Sequence, residues 1–208
     1  LRTIRETKPV KTILAILAIL ASLSGAVATS AALPAGVVRQ LPAGYAVLGS
    51  AHLVAGKPTR RFEIVALGRK DEDRLAKTRN APARPLLLFE QRGNAVLIVA
   101  RNDHVVMKAD EGGQCDPFLD GGGTIAAKGR YFTIENGVAC GQHWTDYITF
   151  RLDDRAGGFV FDNERQEDWE LNPSNDPDAE ALVRAGPPRL LRAPAGPVIP
   201  FAAWRPKR

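Results

Sequence analysis

From residue 44 onward the apolar positions recur at every second residue rather than every 3.6. Tyr45 and Val47, then Phe62, Ile64 and Ala66, alternate with small or polar neighbours, as a strand with one buried face requires. Residues 85–89 and 95–100 are short, nearly continuous apolar runs on either side of Arg92-Gly93-Asn94. That tripeptide is a hairpin signal, and strands apolar on both faces are expected at a sheet centre. Further strands are predicted over 104–108, 124–127, 131–135, 145–152 and 159–162, joined by turns such as Lys128-Gly129-Arg130 and Ala156-Gly157-Gly158. Eight or nine strands in this spacing predict an all-β domain, a mainly antiparallel meander, sandwich or barrel.

Two stretches break the alternation. Residues 70–83 are highly charged without apolar periodicity and predict an exposed loop with at most one helical turn. One short C-terminal helix is expected after Asp176, which can cap it. Pro177 suits its first position, Asp178 and Glu180 complement the positive end of its dipole, and Gly186-Pro187-Pro188 stop it. Beyond it lies a Pro/Ala-rich basic tail whose large apolar anchors are Phe201 and Trp204.

The start of the chain has a different character. Arg2, Arg5, Lys8 and Lys11 precede a charge-free apolar run over 12–32, with its most apolar part at 13–22 and small residues at Ala26-Val27-Ala28. A cationic front, a short apolar middle and a small-residue cut site are the three parts of a secretory signal peptide. The expected organisation is a signal peptide over 1–28, a linker over 29–43, a β-rich domain over 44–172, and a short helix and tail over 173–208. The expected location is periplasmic or secreted, with membrane association only if the leader stays uncleaved. The chain carries 28 basic and 23 acidic residues, a net charge of +5. Removing 1–28 deletes four basic residues and Glu6 and leaves +2, so neither charge nor compartment predicts a nucleic-acid partner.

Two cysteines, Cys115 and Cys140, occur in the chain, and outside the cytosol an even pair is expected to oxidise. A Cys115–Cys140 bond ties the loops at 110–123 and 136–143 together and makes Asp116, Asp120, Gln142, His143 and Trp144 a candidate binding edge. Asp116 and Asp120 have the residue type of a glycosidase acid and base, although Asp before Pro117 is first a turn former. His143 and Asp146 are a candidate base and its orienter, set against simple packing beside Trp144. Gly121-Gly122-Gly123 lacks the Lys and Ser or Thr of a phosphate loop. His52, His104 and His143 stand at unrelated spacings, so no metal and no cofactor is expected. Glu164, Glu167, Asp168, Glu170, Asp176 and Asp178 read as a solvated acidic face.

The segments LPAGYAVL (41–48), ARPLLLF (83–89), VARNDHVVMKAD (99–110), CDPF (115–118) and YFTIENGVACGQHWTDYITFRLD (131–153) resemble a group of uncharacterised exported bacterial proteins. In these a blade-like unit similar to FG-GAP or VCBS repeats precedes a strand-rich region with a DPF element and an aromatic W/Y/TF strand. The resemblance covers about half the chain and implies a fold without a reaction. Where the blade units carry an Asp/Asn-rich calcium loop, residues 51–61 here hold no carboxylate.

The function expected is that of an exported, monomeric binding or interaction module of the cell envelope, its partner an envelope protein, glycan or peptide. The alternatives are a small envelope hydrolase acting on glycans or peptides, and a secreted inhibitor of a lysozyme or protease.

Overall fold

The structure, a computed structural model, describes residues 32–206 except 112–114, 120–123 and 139. The signal peptide expected over 1–28, Asp120, Gly121-Gly122-Gly123 and the end of the basic tail therefore lie outside the described residues.

The domain is all-β, with ten strands among the described residues in two antiparallel sheets. The first is a four-stranded meander in the order β1-β2-β3-β4: β1 (Tyr45–Ala55), β2 (Arg60–Arg69), β3 (Arg84–Arg92) and β4 (Ala95–Val106). The second contains β5 (Ile125–Lys128), β6 (Tyr131–Gly137), β7 (His143–Asp153), β8 (Gly158–Leu171), β9 (Leu182–Arg184) and β10 (Arg189–Arg192). Its order is β10-β8-β7-β6-β5, with β9 also paired to β8. Between the sheets lies one core, to which Phe62, Ile64 and Leu88 contribute from the first sheet and Phe132, Ile148 and Phe150 from the second. Burying alternate side chains of both sheets against each other is what holds such a sandwich together.

β3 sits between β2 and β4, and its first seven residues are all buried. Leu86 and Leu88 face the main core, whereas Leu87 and Phe89 face a second cluster with Val65, Leu67 and Val37. Val37 belongs to α1 (Ala35–Val38), a single turn that covers the outer face of the first sheet. The described part of the segment expected as a linker, residues 32–43, thus packs on the sheet, because Val37 supplies the apolar surface that the second face of β3 needs. Gly36 makes the close approach feasible: a Cβ there would fall 2.7 Å from Val96 Cγ2. The apolar run over 95–100 does not lie at a sheet centre as its composition suggested. β4 is an edge strand, and Leu97, Ile98 and Val99 are exposed on it.

The charged stretch after β2 forms one short helix, α2 (Glu72–Ala76). The helix expected after Asp176 is absent. Residues 176–180 make turns and bends, then Leu182–Arg184 pairs with Trp169–Leu171 as β9, because β8 extends far enough to offer a partner edge. The C-terminal helical element is instead a 3₁₀ turn, Phe201–Ala203. It brings Phe201 and Trp204 into the main core, where Phe201 packs 5.0 Å from the Phe150 ring. Buried Asn102 of β4 holds this turn in place by donating from Nδ2 to the carbonyls of Phe201 and Trp204, at 2.5 and 3.0 Å. Among the described residues no helix is long and apolar enough to cross a membrane.

Candidate functional site

Cys115 and Cys140 form the expected disulfide, with Cα atoms 5.7 Å apart. It does not gather the four described candidates, Asp116, Gln142, His143 and Trp144, into one cleft. Asp116 is buried and ion-paired to Arg84 at the start of β3, whose guanidinium is fully buried and also binds Glu72 of α2 at 2.7 Å. Arg84 Nη1 donates further to the Met107 carbonyl at 3.2 Å. Burial opposes the Arg84 charge, but the hydrogen bonds it donates to Asp116 and Glu72 outweigh it and raise its pKa above the ordinary arginine value. Gly68 leaves room for this triad, since a Cβ there would lie 2.7 Å from the Glu72 carboxylate. Asp116 also caps its own loop, accepting the Phe118 N–H at 3.0 Å. Its role is therefore that of a structural counter-ion and turn former, and the acid–base role considered for it is set aside.

Gln142 is exposed on the loop before β7, and Asp120 lies outside the described residues. His143 and Trp144 are adjacent on a strand and so point to opposite faces. His143 stacks on Trp169 across the strand pair, centroids 6.0 Å apart, with its Nδ1 2.6 Å from the Gly141 carbonyl oxygen. Trp144 points the other way, into a groove of about 570 Å³. Strand alternation likewise separates His143 from Asp146, so the two do not form a base and orienter.

The groove is where functional side chains converge. From β7 it receives Trp144, Asp146 and Ile148, and from β8 the residues that pair with them, Asp168, Gln166 and Glu164. β10 adds Arg189, which donates to Gln166. The opposite wall is the end of β4 and the segment after it, including His104, Met107 and Lys108. Asn136 of β6 fixes that wall: its Nδ2 donates to the Val105 carbonyl at 2.8 Å and its Oδ1 accepts the Met107 N–H at 2.9 Å. One wall is thus built on paired strands, and the other is the end of β4 and the segment after it, tied to β6 by the Asn136 side chain.

Electrostatically the groove is acidic. Asp103, Glu111, Asp146, Glu164 and Asp168 line it, against Lys108 and Arg189. The Asp146 carboxyl is pushed up to about 7, first by burial and then by the negative charge of Glu164, with Arg189 opposing. Asp146 Oδ1 is buried without a hydrogen-bond partner. A carboxyl poised there exchanges a proton near neutrality and, when ionised, attracts a cation. Among the described residues no three His, Cys, Asp or Glu side chains are placed to hold a metal ion.

Asp146, expected as a partner of His143, stands in the groove without it; Arg189 is not among the sequence candidates, and Glu164 and Asp168, expected on a solvated face, line the groove. The available signal was the phase of β7. Trp144, Asp146, Ile148, Phe150 and Leu152 share one face, so an acid in that series stands on the core side. Glu167, from the same acidic run, is buried on the outer face and ion-paired to Arg165 and Arg184.

No family model, curated protein or solved structure matches this chain.

Proposed function

We propose that the protein is an exported binding module of the cell envelope whose groove takes a basic segment of a partner protein. The observation that carries this reading is that Trp144 lines an acidic groove together with Asp146, Glu164 and Asp168. A Lys or Arg side chain gains there from the carboxylates and from the face of the indole, a cation–π contact of about 0.5–2 kcal/mol. Acidic lining also steers a basic partner to the groove before contact. Export is supported by the leader pattern and is compatible with the Cys115–Cys140 disulfide.

Titrating the full chain with tetra-arginine and with a neutral N-acetylglucosamine tetramer, followed by tryptophan fluorescence, tests the ligand class. Tetra-arginine should bind saturably, weaken with salt and lose affinity in Trp144→Ala and Asp168→Asn. Saturation by the glycan alone would overturn the basic-peptide reading and move the ligand to the glycan class.

A second reading, a small hydrolase of envelope glycans or peptides, is favoured by the Asp146 carboxyl near 7 beside Glu164. It requires turnover that Asp146→Asn abolishes while tetra-arginine binding persists.

A further inference from the structure

We propose a second binding site on the outer face of the second sheet, distinct from the acidic groove, for an oxyanion carried on an apolar body. A cleft of about 670 Å³ opens there between β7, β8 and β10. Three arginines reach it from three strands: Arg151 of β7, Arg165 of β8 and Arg192 of β10. Asp162 is the one carboxylate among the described lining residues. It is already engaged, lying 3.3 Å from Arg151 Nε and accepting from Asn163 Nδ2 at 2.8 Å.

The three guanidiniums differ in what they have left to give. Arg151 pairs with Asp153 and Asp162, and Arg165 uses Nη2 on Glu167. Arg165 Nε is buried and has no hydrogen-bond partner. Arg192 is exposed and makes no ion pair or side-chain hydrogen bond with a described residue. The unused hydrogen-bonding capacity of the cleft is therefore mostly donor capacity on planar guanidinium groups, and the complementary ligand is a phosphate or carboxylate that accepts two parallel N–H bonds. Leu190, half-exposed at 51 %, stands with Pro188 and Ala193 beside these donors. They give the ligand's body an apolar surface, which a free inorganic anion would not use.

Register explains why the site forms here. Leu190 pairs with Arg165, and Arg192 with Asn163, on the face opposite the one that sends Leu191 toward the core. β10 thus places its two outward residues beside Arg165 and Asn163 of β8 on the same face of the sheet.

Isothermal titration of the full chain with hexyl phosphate, inorganic phosphate and hexyl glucoside tests the proposal. Hexyl phosphate should bind saturably and about tenfold more tightly than inorganic phosphate, while hexyl glucoside should not bind. Arg192→Gln, a surface change, should weaken hexyl phosphate about tenfold with an unchanged melting temperature. Leu190→Ser should reduce hexyl phosphate binding and leave inorganic phosphate unaffected. Equal affinity for the two phosphates would overturn the apolar-body assignment. Wild-type affinity in Arg192→Gln, or no saturation by either phosphate, would overturn the oxyanion site itself.

Discussion

Asp116→Asn is the substitution that most cleanly separates a structural residue from a ligand-binding one. Asp116 is one of two carboxylates around Arg84, whose side chain is 0 % exposed. Breaking a buried ion pair by removing one partner costs about 3–5 kcal/mol, because the remaining charge keeps its desolvation penalty. Here Glu72 and the Met107 carbonyl still engage the guanidinium and the new amide oxygen can accept one neutral hydrogen bond, so the loss should fall near the low end, about 3 kcal/mol. For a domain of this size each kcal/mol moves the melting temperature by about 2–4 °C, giving a fall of about 6–12 °C. Urea and thermal unfolding at pH 7, with the disulfide intact by mass, measure both quantities. Arg84→Met should be at least as damaging, since it leaves Glu72 and Asp116 buried without their cation. Combining it with Asp116→Asn should restore part of the loss, by about 1 kcal/mol or more. A loss below about 1 kcal/mol in Asp116→Asn, together with impaired ligand binding, would refute the reasoning and return Asp116 to a functional surface.

Four other outcomes follow from the geometry. The Asp146 carboxyl has a folded pKa of about 7 against 3.8 for the free group, so the folded chain holds a proton that the unfolded chain has released between those values. Its contribution to stability is therefore present at low pH and lost as pH rises through about 7; Asp146→Asn should be more stable than wild type at pH 8 and show a smaller difference between pH 5 and pH 8 in urea midpoints. Tetra-arginine binding should strengthen over the same rise, as Asp146 ionises beside Glu164, Asp168, Lys108 and Arg189. Replacing Cys115 and Cys140 by serine releases a loop closed over 25 residues and should cost about 3.5 kcal/mol in chemical unfolding. Phe201→Ala, at a site 1 % exposed among Phe132, Phe150 and Trp204, should cost about 3–5 kcal/mol in the same assay.

The strands were legible because period two is a direct consequence of sheet geometry, and the turns because Arg92-Gly93-Asn94, Lys128-Gly129-Arg130 and Ala156-Gly157-Gly158 each sit at a hairpin: β3–β4, β5–β6 and β7–β8. The single turn of helix in the charged loop was legible for the same local reason. What local chemistry did not reveal was set by distant partners. Good helix-start residues after Asp176 lost to an available edge on β8, and the apolar run over 95–100 looked central although no fifth strand pairs with β4 among the described residues. The disulfide was predictable from the cysteine count and the expected compartment, but where the candidate edge residues point was not. Proximity along a loop says nothing of facing, and the alternation of β7 sends His143 to one side and Trp144 to the other. Arg84 hid the fate of Asp116 for a similar reason, since the two are 32 residues apart in sequence and meet only in the fold.

The acidic groove as the seat of binding is tested most directly by mapping backbone amide shifts while tetra-arginine is added to isotope-labelled protein at pH 7.5. The perturbed amides should cluster at residues 144–148, 164–168 and 104–108, leaving the outer-face residues His143, Trp169 and Arg184 unmoved. Shifts centred on that outer face, or spread over the surface without saturating, would contradict the account.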